Sequence, residues 1–329
     1  MNSRQTKLLK LIVEEYIKTA KPIGSKSLEQ ELDCSSATIR NEMSYLEDLG
    51  YLEKTHTSSG RIPSEIGYRY YVDNIMESKE LNKDDILKLQ TIFDNSSLVL
   101  SDTIEKSLEI VSELTNCTLI SLGNTSNENK ISKVEVIPIN ENNLVAIIVT
   151  DKGHVENRNV ILDEKISVLE IKQTIDIINK HIVGTPIDEV AAKLEFEVKP
   201  IIRDNVNSQK QLFDAFCNFI NDVTTESNIK MKGRANILKQ PEFSDADKIK
   251  KIISKFEDKN FISSIKEEEN GVNIYIGSEN EFDDDVTIIK TKYNVNGVEG
   301  TIAIVGPKRM EYDRATMLLE YIKENIEKN

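Results

Sequence analysis

Apolar residues fall at Leu8, Leu11, Ile12, Tyr16 and Ile17, the three-and-four spacing of a helix over residues 4–19 with one buried face. Asn2, followed three positions later by Gln5, is a capping-box start. Lys21-Pro22-Ile23-Gly24 ends this helix, Ser25 opens a second short one from Lys26 to Leu32, and Asp33-Cys34 is a turn. Ser35 or Ser36 then caps a third helix whose apolar stripe is Ile39, Met43 and Leu46. Gly50 stops it. Tyr51 to Thr55 reads as a strand, His56 to Gly60 as a tight turn and Arg61-Ile62 as the returning strand. A fourth helix opens at Ser64, with Tyr68, Tyr71 and Val72 spaced for packing.

Residues 77–85 are polar and charged and read as a joint. Helical patterns at Asp85–Phe93 and Leu98–Thr115 lead into strand-like runs at Thr118–Leu122, Lys133–Ile139, Leu144–Thr150 and Val155–Ile161. Helices follow at Val168–Ile182, Ile187–Phe196, Gln209–Asn228 and Asp245–Phe256. Strands return at Val272–Ile276, Val286–Tyr293 and Thr301–Val305, and a last helix runs from Tyr312 to about Ile326. The order predicts a multidomain α+β chain with one sheet carrying helices on its faces. The helical stretch between the strand groups is too long for a connection and reads as an inserted subdomain. The expected division is 1–76, then a body of 77–196 and 271–329, with the insert at 197–270.

The third helix carries a second message. Opposite its apolar stripe stand Ala37, Thr38, Arg40, Asn41 and Ser44, short hydrogen-bonding side chains around one long cation. Such a face suits the major groove, where Arg grips guanine O6/N7 and Asn grips adenine. The hairpin that follows holds small residues and Arg61, a composition suited to lying along a phosphate backbone or dipping into a minor groove. Either half alone also fits a capped surface helix or an ordinary hairpin. In this order they read as a winged helix-turn-helix, and the expected DNA contacts are Ser36, Ala37, Thr38, Arg40, Asn41, Ser44, His56, Ser58, Gly60 and Arg61.

The same stretch resembles the HrcA family of heat-inducible transcription repressors. The match runs through Ser36, Ala37-Thr38-Ile39-Arg40-Asn41, Met43, Leu46-Glu47, Gly50, His56, Ser58, Gly60-Arg61 and Pro63. Its shorter core, T-I-R followed by L-E-x-x-G, is shared with several winged-helix repressor families, whereas the long form is specific. Gly67-Tyr68-Arg69 with Tyr71-Val72-Asp73, and Gly306-Pro307-Lys308-Arg309-Met310-Glu311-Tyr312, continue the resemblance. It implies a GAF-like domain interrupted by a dimerising insertion. It further implies a homodimer that represses chaperone genes at the CIRCE inverted repeat in operator DNA, held active by the GroEL chaperonin.

Charge qualifies this picture. The 329-residue chain has a formal net charge of −14, opposite to what phosphate neutralisation favours. Residues 1–72 hold ten basic and ten acidic residues, so the whole excess lies beyond them. An acidic body on a neutral head disfavours non-specific attachment to DNA. Three scattered cysteines predict no disulfide framework and a reducing cytoplasm, and no apolar run is long enough for a membrane span.

No G-x-G-x-x-G, GxxxxGK[ST] or G-x-S-x-G motif occurs, and Gly297-Val298-Glu299-Gly300 reads as a hairpin turn. His56, His154 and His181 have no partners at metal-ligand spacing, so neither metal nor cofactor is expected. Asp283-Asp284-Asp285 and Glu267-Glu268-Glu269 are read as solvated acidic loops. Lys308-Arg309 either binds an anion or crosses to an acidic neighbour. A repressor without catalysis is preferred over an enzyme with a regulatory winged-helix head, which would need a nucleotide loop or catalytic polar groups after residue 85. Within the repressor reading, a ligand sensed by the GAF-like domain competes with temperature and chaperone state.

Overall fold

Capping and periodicity account for most element ends in the computed structural model, which describes residues 1–54, 60–77, 81–95, 98, 100–123, 130–151, 153, 155–202, 207–267, 269–295 and 298–328. Helix α1 (Ser3–Thr19) starts on the expected capping box: the Gln5 N–H donates to Asn2 Oδ1 and the Asn2 N–H to Gln5 Oε1, both at 2.9 Å. A 3-10 turn (Ser25–Leu28) runs into the short α2 (Glu29–Leu32), and Asp33, at φ 50°, turns the chain into α3 (Ser36–Asp48). Strands β1 (Leu52–Lys54) and β2 (Arg61–Pro63) pair antiparallel, and α4 (Glu65–Asn74) follows on a Ser64 cap. Helices α5 (Lys83–Phe93) and α6 (Leu100–Thr115) lead to β3 (Thr118–Gly123).

Then come β4 (Ile131–Pro138), β5 (Asn143–Thr150) and β6 (Val155–Ile161), an antiparallel meander forming its own three-stranded sheet. Its inner face (Val134, Leu144, Ala146, Ile148 and Val160) belongs to one core with α7 (Val168–Ile182), α8 (Ile187–Lys193), α9 (Lys199–Ile202) and α10 (Asn207–Asn228). The expected helix Ile187–Phe196 is interrupted: residues Leu194–Val198 widen into a π-helical turn. That turn buries Leu194 and Val198 and leaves Phe196 at the surface.

Strand β7 (Ile229–Lys232) enters a second sheet, and α11 (Arg234–Leu238), α12 (Ala246–Glu257) and α13 (Lys259–Ser264) precede β8 (Val272–Ile276), β9 (Val286–Val295) and β10 (Val298–Pro307). The strand order is β7-β3-β10-β9-β8, and α14 (Tyr312–Lys328) packs on β9. β9 and β10 pair antiparallel, and Val298, Glu299 and Gly300 stand in the ladder opposite Val295, Asn294 and Tyr293 rather than in the turn expected of residues 297–300; Gly297 lies outside the described residues.

The chain therefore divides differently from the expectation. One compact unit joins residues 1–122 with 231–329, and the other is 123–230. The compact unit cut out of the chain is 123–230 rather than the expected 197–270: among the described residues β4, β5 and β6 bond to one another and to no strand of the larger sheet, while α11 to α13 fall in the larger unit. Nor does a boundary fall at 77–85. Leu8, Ile12, Leu46, Tyr68 and Tyr71 share one apolar core with Ile276, Ile289, Tyr312 and Leu319. Charged clamps reinforce it. The Arg69 guanidinium donates to Glu279, with Nε to Oε1 at 2.9 Å, and to the Ile274 carbonyl at 2.5 Å. The Glu65 carboxylate accepts from the Ser278 N–H at 3.0 Å and from the Ser278 hydroxyl. Gly277, at φ +54°, makes room for that carboxylate, since a Cβ there would collide with it.

The two acidic runs are only partly solvated: Glu269 and Asp284 are exposed, and Glu268 lies outside the described residues. Glu267 is buried, accepting from Tyr275 Oη at 3.0 Å, and Asp283 pairs with Lys251 Nζ at 2.7 Å. Asp285 pairs with Lys248. Lysines of α12 thus neutralise a stretch that looks solvated when read alone.

Candidate nucleic-acid interface

Ser35, not Ser36, is the N-cap of α3, its Oγ accepting from the Thr38 N–H at 3.3 Å. Ile39, Met43 and Leu46 are 1%, 2% and 0% exposed and join Leu8, Leu9, Ile12 and Val13 of α1 in the core. Burying three large side chains on one stripe fixes the helix about its axis, and the opposite face is then forced outward. Ala37, Arg40, Asn41 and Ser44 are exposed and Thr38 is half-buried. These five expected contact residues share one face. Tyr45 and Leu49, 49% and 45% exposed, lie on the exposed side as well. No periodic signal marks them in the sequence, because they fall outside the Ile39/Met43/Leu46 stripe.

Ser36 sits elsewhere. Its Oγ lies 2.7 Å from Ser25 Oγ and its N–H donates to Glu29 Oε1 at 2.9 Å, tying α3 to the preceding turn. The hairpin differs more from expectation. His56 and Ser58 lie outside the described residues. Gly60 is buried, and a Cβ there would stand 2.8 Å from Pro22 Cβ and 2.9 Å from the Pro22 carbonyl carbon. Its glycine permits a close backbone approach to Pro22. The Arg61 side chain, 12% exposed, donates from Nε to Glu47 Oε2 at 2.8 Å, with Nη2 at 2.6 Å from the same oxygen. In this structure its guanidinium is engaged by Glu47 rather than open to solvent.

Comparison with known proteins decides the family. Residues 101–316 match the model of the HrcA protein C-terminal domain. The chain is 37% identical to the heat-inducible transcription repressor HrcA of Bacillus pumilus (strain SAFR-032), covering 99% of this chain and 97% of that protein. It is equally 37% identical, with the same coverage, to the heat-inducible transcription repressor HrcA of Lysinibacillus sphaericus. This chain belongs to the HrcA family. Its function is that of a heat-inducible transcription repressor HrcA, a regulator rather than an enzyme. A crystal structure of a hypothetical protein shares the fold, with a TM-score of 0.65 and 24% identity over 100% of this chain and 98% of that one.

Two cavities in the larger unit bear on whether this HrcA family member senses a small molecule. One, about 230 Å³, is lined by Cys117, Gln240, Arg309 and Arg314 among others. Its cations are already engaged: Arg309 by Glu242 and by Gln240 Oε1 at 2.8 Å, Arg314 by Asp85 at 2.8 Å. This resolves the Lys308-Arg309 alternative toward acidic neighbours, with Lys308 3.7 Å from Asp285. The other, about 420 Å³, is rimmed by Glu14, Asp85, Glu311 and Asp313, and the Tyr71 hydroxyl beside it is pushed well above its ordinary range by burial and by Glu14. Burial likewise holds the Cys117 thiol up at about 12, so it stays protonated and unreactive. Among the described residues no group of His, Cys, Asp and Glu is placed to hold a metal ion, and no helix is long and apolar enough to cross a membrane.

Proposed function

We propose that α3 is the recognition helix of a winged helix-turn-helix and that Ala37, Thr38, Arg40, Asn41 and Ser44 meet base edges in the major groove of operator DNA. The carrying observation is the exposed polar face around Arg40, held outward by a stripe at most 2% exposed. His56 and Ser58 belong to the proposed wing, and Ser36 and Gly60 shape the module. The larger sheet with its helices is the GAF-like domain, interrupted by the inserted unit.

One such module reads only a few base pairs, so two must act on a two-fold operator, with half-site centres about 34–36 Å apart or a multiple of it. The inserted unit is the proposed dimerising element. Its sheet presents Val145, Ile147 and Val149 in a row on the face away from its core, with Ile137 (46% exposed) and Val155 (57%) paired beside Val145 and Val149. This apolar row is flanked on the same face by Lys133, Glu135, Asn157 and Asn159, a mixed surface that a second copy would cover, and a second copy meets the symmetry of the operator. The operator is the CIRCE inverted repeat implied by family resemblance, and GroEL is the proposed partner that keeps the repressor competent.

The test is an operator titration of Arg40→Ala. Losing one bidentate base contact costs ~1–3 kcal/mol per half-site, and a dimer loses it twice. Wild-type affinity in a gel shift rules out this assignment of α3. For the chaperonin, operator binding is compared after a brief heat step with and without GroEL. Equal binding in both samples returns a ligand of the GAF-like domain to first place.

A further inference from the structure

We infer that Arg61 serves DNA reading as a positioning residue, acting through Glu47 rather than through phosphate; this rests on the reading of α3 as the recognition helix. Glu47 sits on α3 three residues beyond Ser44 and seven beyond Arg40, a spacing that keeps all three along one side of the helix. Arg61 reaches it from β2 with two nitrogens on one carboxylate oxygen, 2.8 and 2.6 Å away. The backbone of Arg61 is held independently: its N–H donates to the Ile23 carbonyl and its carbonyl accepts from the Ile23 N–H, each at 2.9 Å. Gly60 lets the same strand close onto Pro22.

The hairpin strand is therefore fixed to the loop after α1 by its backbone and to the flank of α3 by the Arg61 side chain. That side chain sets the angle between recognition helix and wing. Arginine suits this place because its planar fork directs two donors in a fixed geometry. With only 12% of the side chain exposed, the guanidinium is turned toward the protein.

The experiment titrates full-length protein with operator DNA over a range of salt, comparing wild type, Arg61→Ala, Glu47→Gln, the double variant and the exchanged pair Glu47→Arg/Arg61→Glu. Positioning predicts that both single variants weaken binding by roughly tenfold and that the double variant is no worse than the weaker single, since both remove one coupled interaction. The slope of log affinity against log salt stays at the wild-type value, and the exchanged pair recovers part of the loss. A phosphate contact predicts the reverse: Arg61→Ala lowers the slope by about one per half-site, while Glu47→Gln binds as well as wild type or better. That pattern overturns the proposal. Glu47→Gln preserves size and one acceptor, so its direction of change decides the matter even if Arg61→Ala unfolds. Arg40→Ala run alongside separates the two readings, because undiminished binding by that variant rejects α3 itself and not its pairing with Arg61.

Discussion

The N-terminal helical region and the segment 123–230 exchange the roles that the chain's composition gave them. Residues 1–76, followed by a polar stretch that reads as a joint, share an apolar core with the larger sheet, where the Tyr68 and Tyr312 rings pack tilted at 49° with centroids 5.9 Å apart. Residues 123–230, whose strands read as part of that sheet, close a core of their own around Ile148, Ile178, Phe216 and Ile220. Whether a region is independent is decided by which apolar faces meet, not by how polar the connecting chain looks. A polar linker costs little to order once both ends are anchored.

The sharpest way to break this comparison is a matched pair of core truncations. Tyr312→Ala and Phe216→Ala each remove a fully buried aromatic and should each cost roughly 3–5 kcal/mol. Their footprints should differ. Tyr312→Ala should loosen amide protection in residues 1–77 together with the larger sheet, whereas Phe216→Ala should confine the loss to 123–230. Hydrogen exchange read peptide by peptide checks both, and intact protection of α1 and α3 in the Tyr312 variant would restore the separate head.

A smaller effect is expected from the clamp. Arg69→Ala removes charge-assisted bonds to Glu279 and the Ile274 carbonyl and should cost about 1.5–3 kcal/mol. The loss should appear in the melting of the larger unit and leave 123–230 unchanged. Unequal melting of α4 and β8 in this variant would sharpen the comparison by locating the seam.

The smallest effect is a pH dependence. Burial works to raise the Glu279 carboxyl, but hydrogen bonds from Arg69 and the Ile276 N–H, with the Arg69 charge, hold it below its ordinary value. A depressed folded pKa contributes stability that is complete above the unfolded value of about 4.3 and fades as pH falls through the folded value. Melting temperatures of wild type and Arg69→Ala should therefore converge as the pH is lowered through that window. A constant difference down to strong acid would show that the carboxylate charge is not what Arg69 engages.

Much of this protein was legible one stretch at a time. The helix Val168–Ile182 and the strands Val155–Ile161 and Val272–Ile276 have the ends that periodicity marks, and the Asn2/Gln5 box and the Gly50 stop stand where they read. The exposed face of α3 was equally legible, because burying Ile39, Met43 and Leu46 dictates it. These features depend on contacts within a turn or two of chain, which residue type and spacing control directly.

Tertiary structure alone decided the rest. Arg61 reads as a hairpin cation until Glu47 is brought to it, and Gly60 reads as a turn residue until Pro22 lies against it. The acidic run at 283–285 reads as solvated until α12 supplies its lysines. Strands β3 and β4 are neighbours in sequence, yet they belong to different sheets. Arg69 meets Glu279 across 210 positions of chain. An ion pair or a strand pairing is specified by geometry that many residues settle jointly, and period-two patterning states that a strand has a buried face without naming the strand beside it.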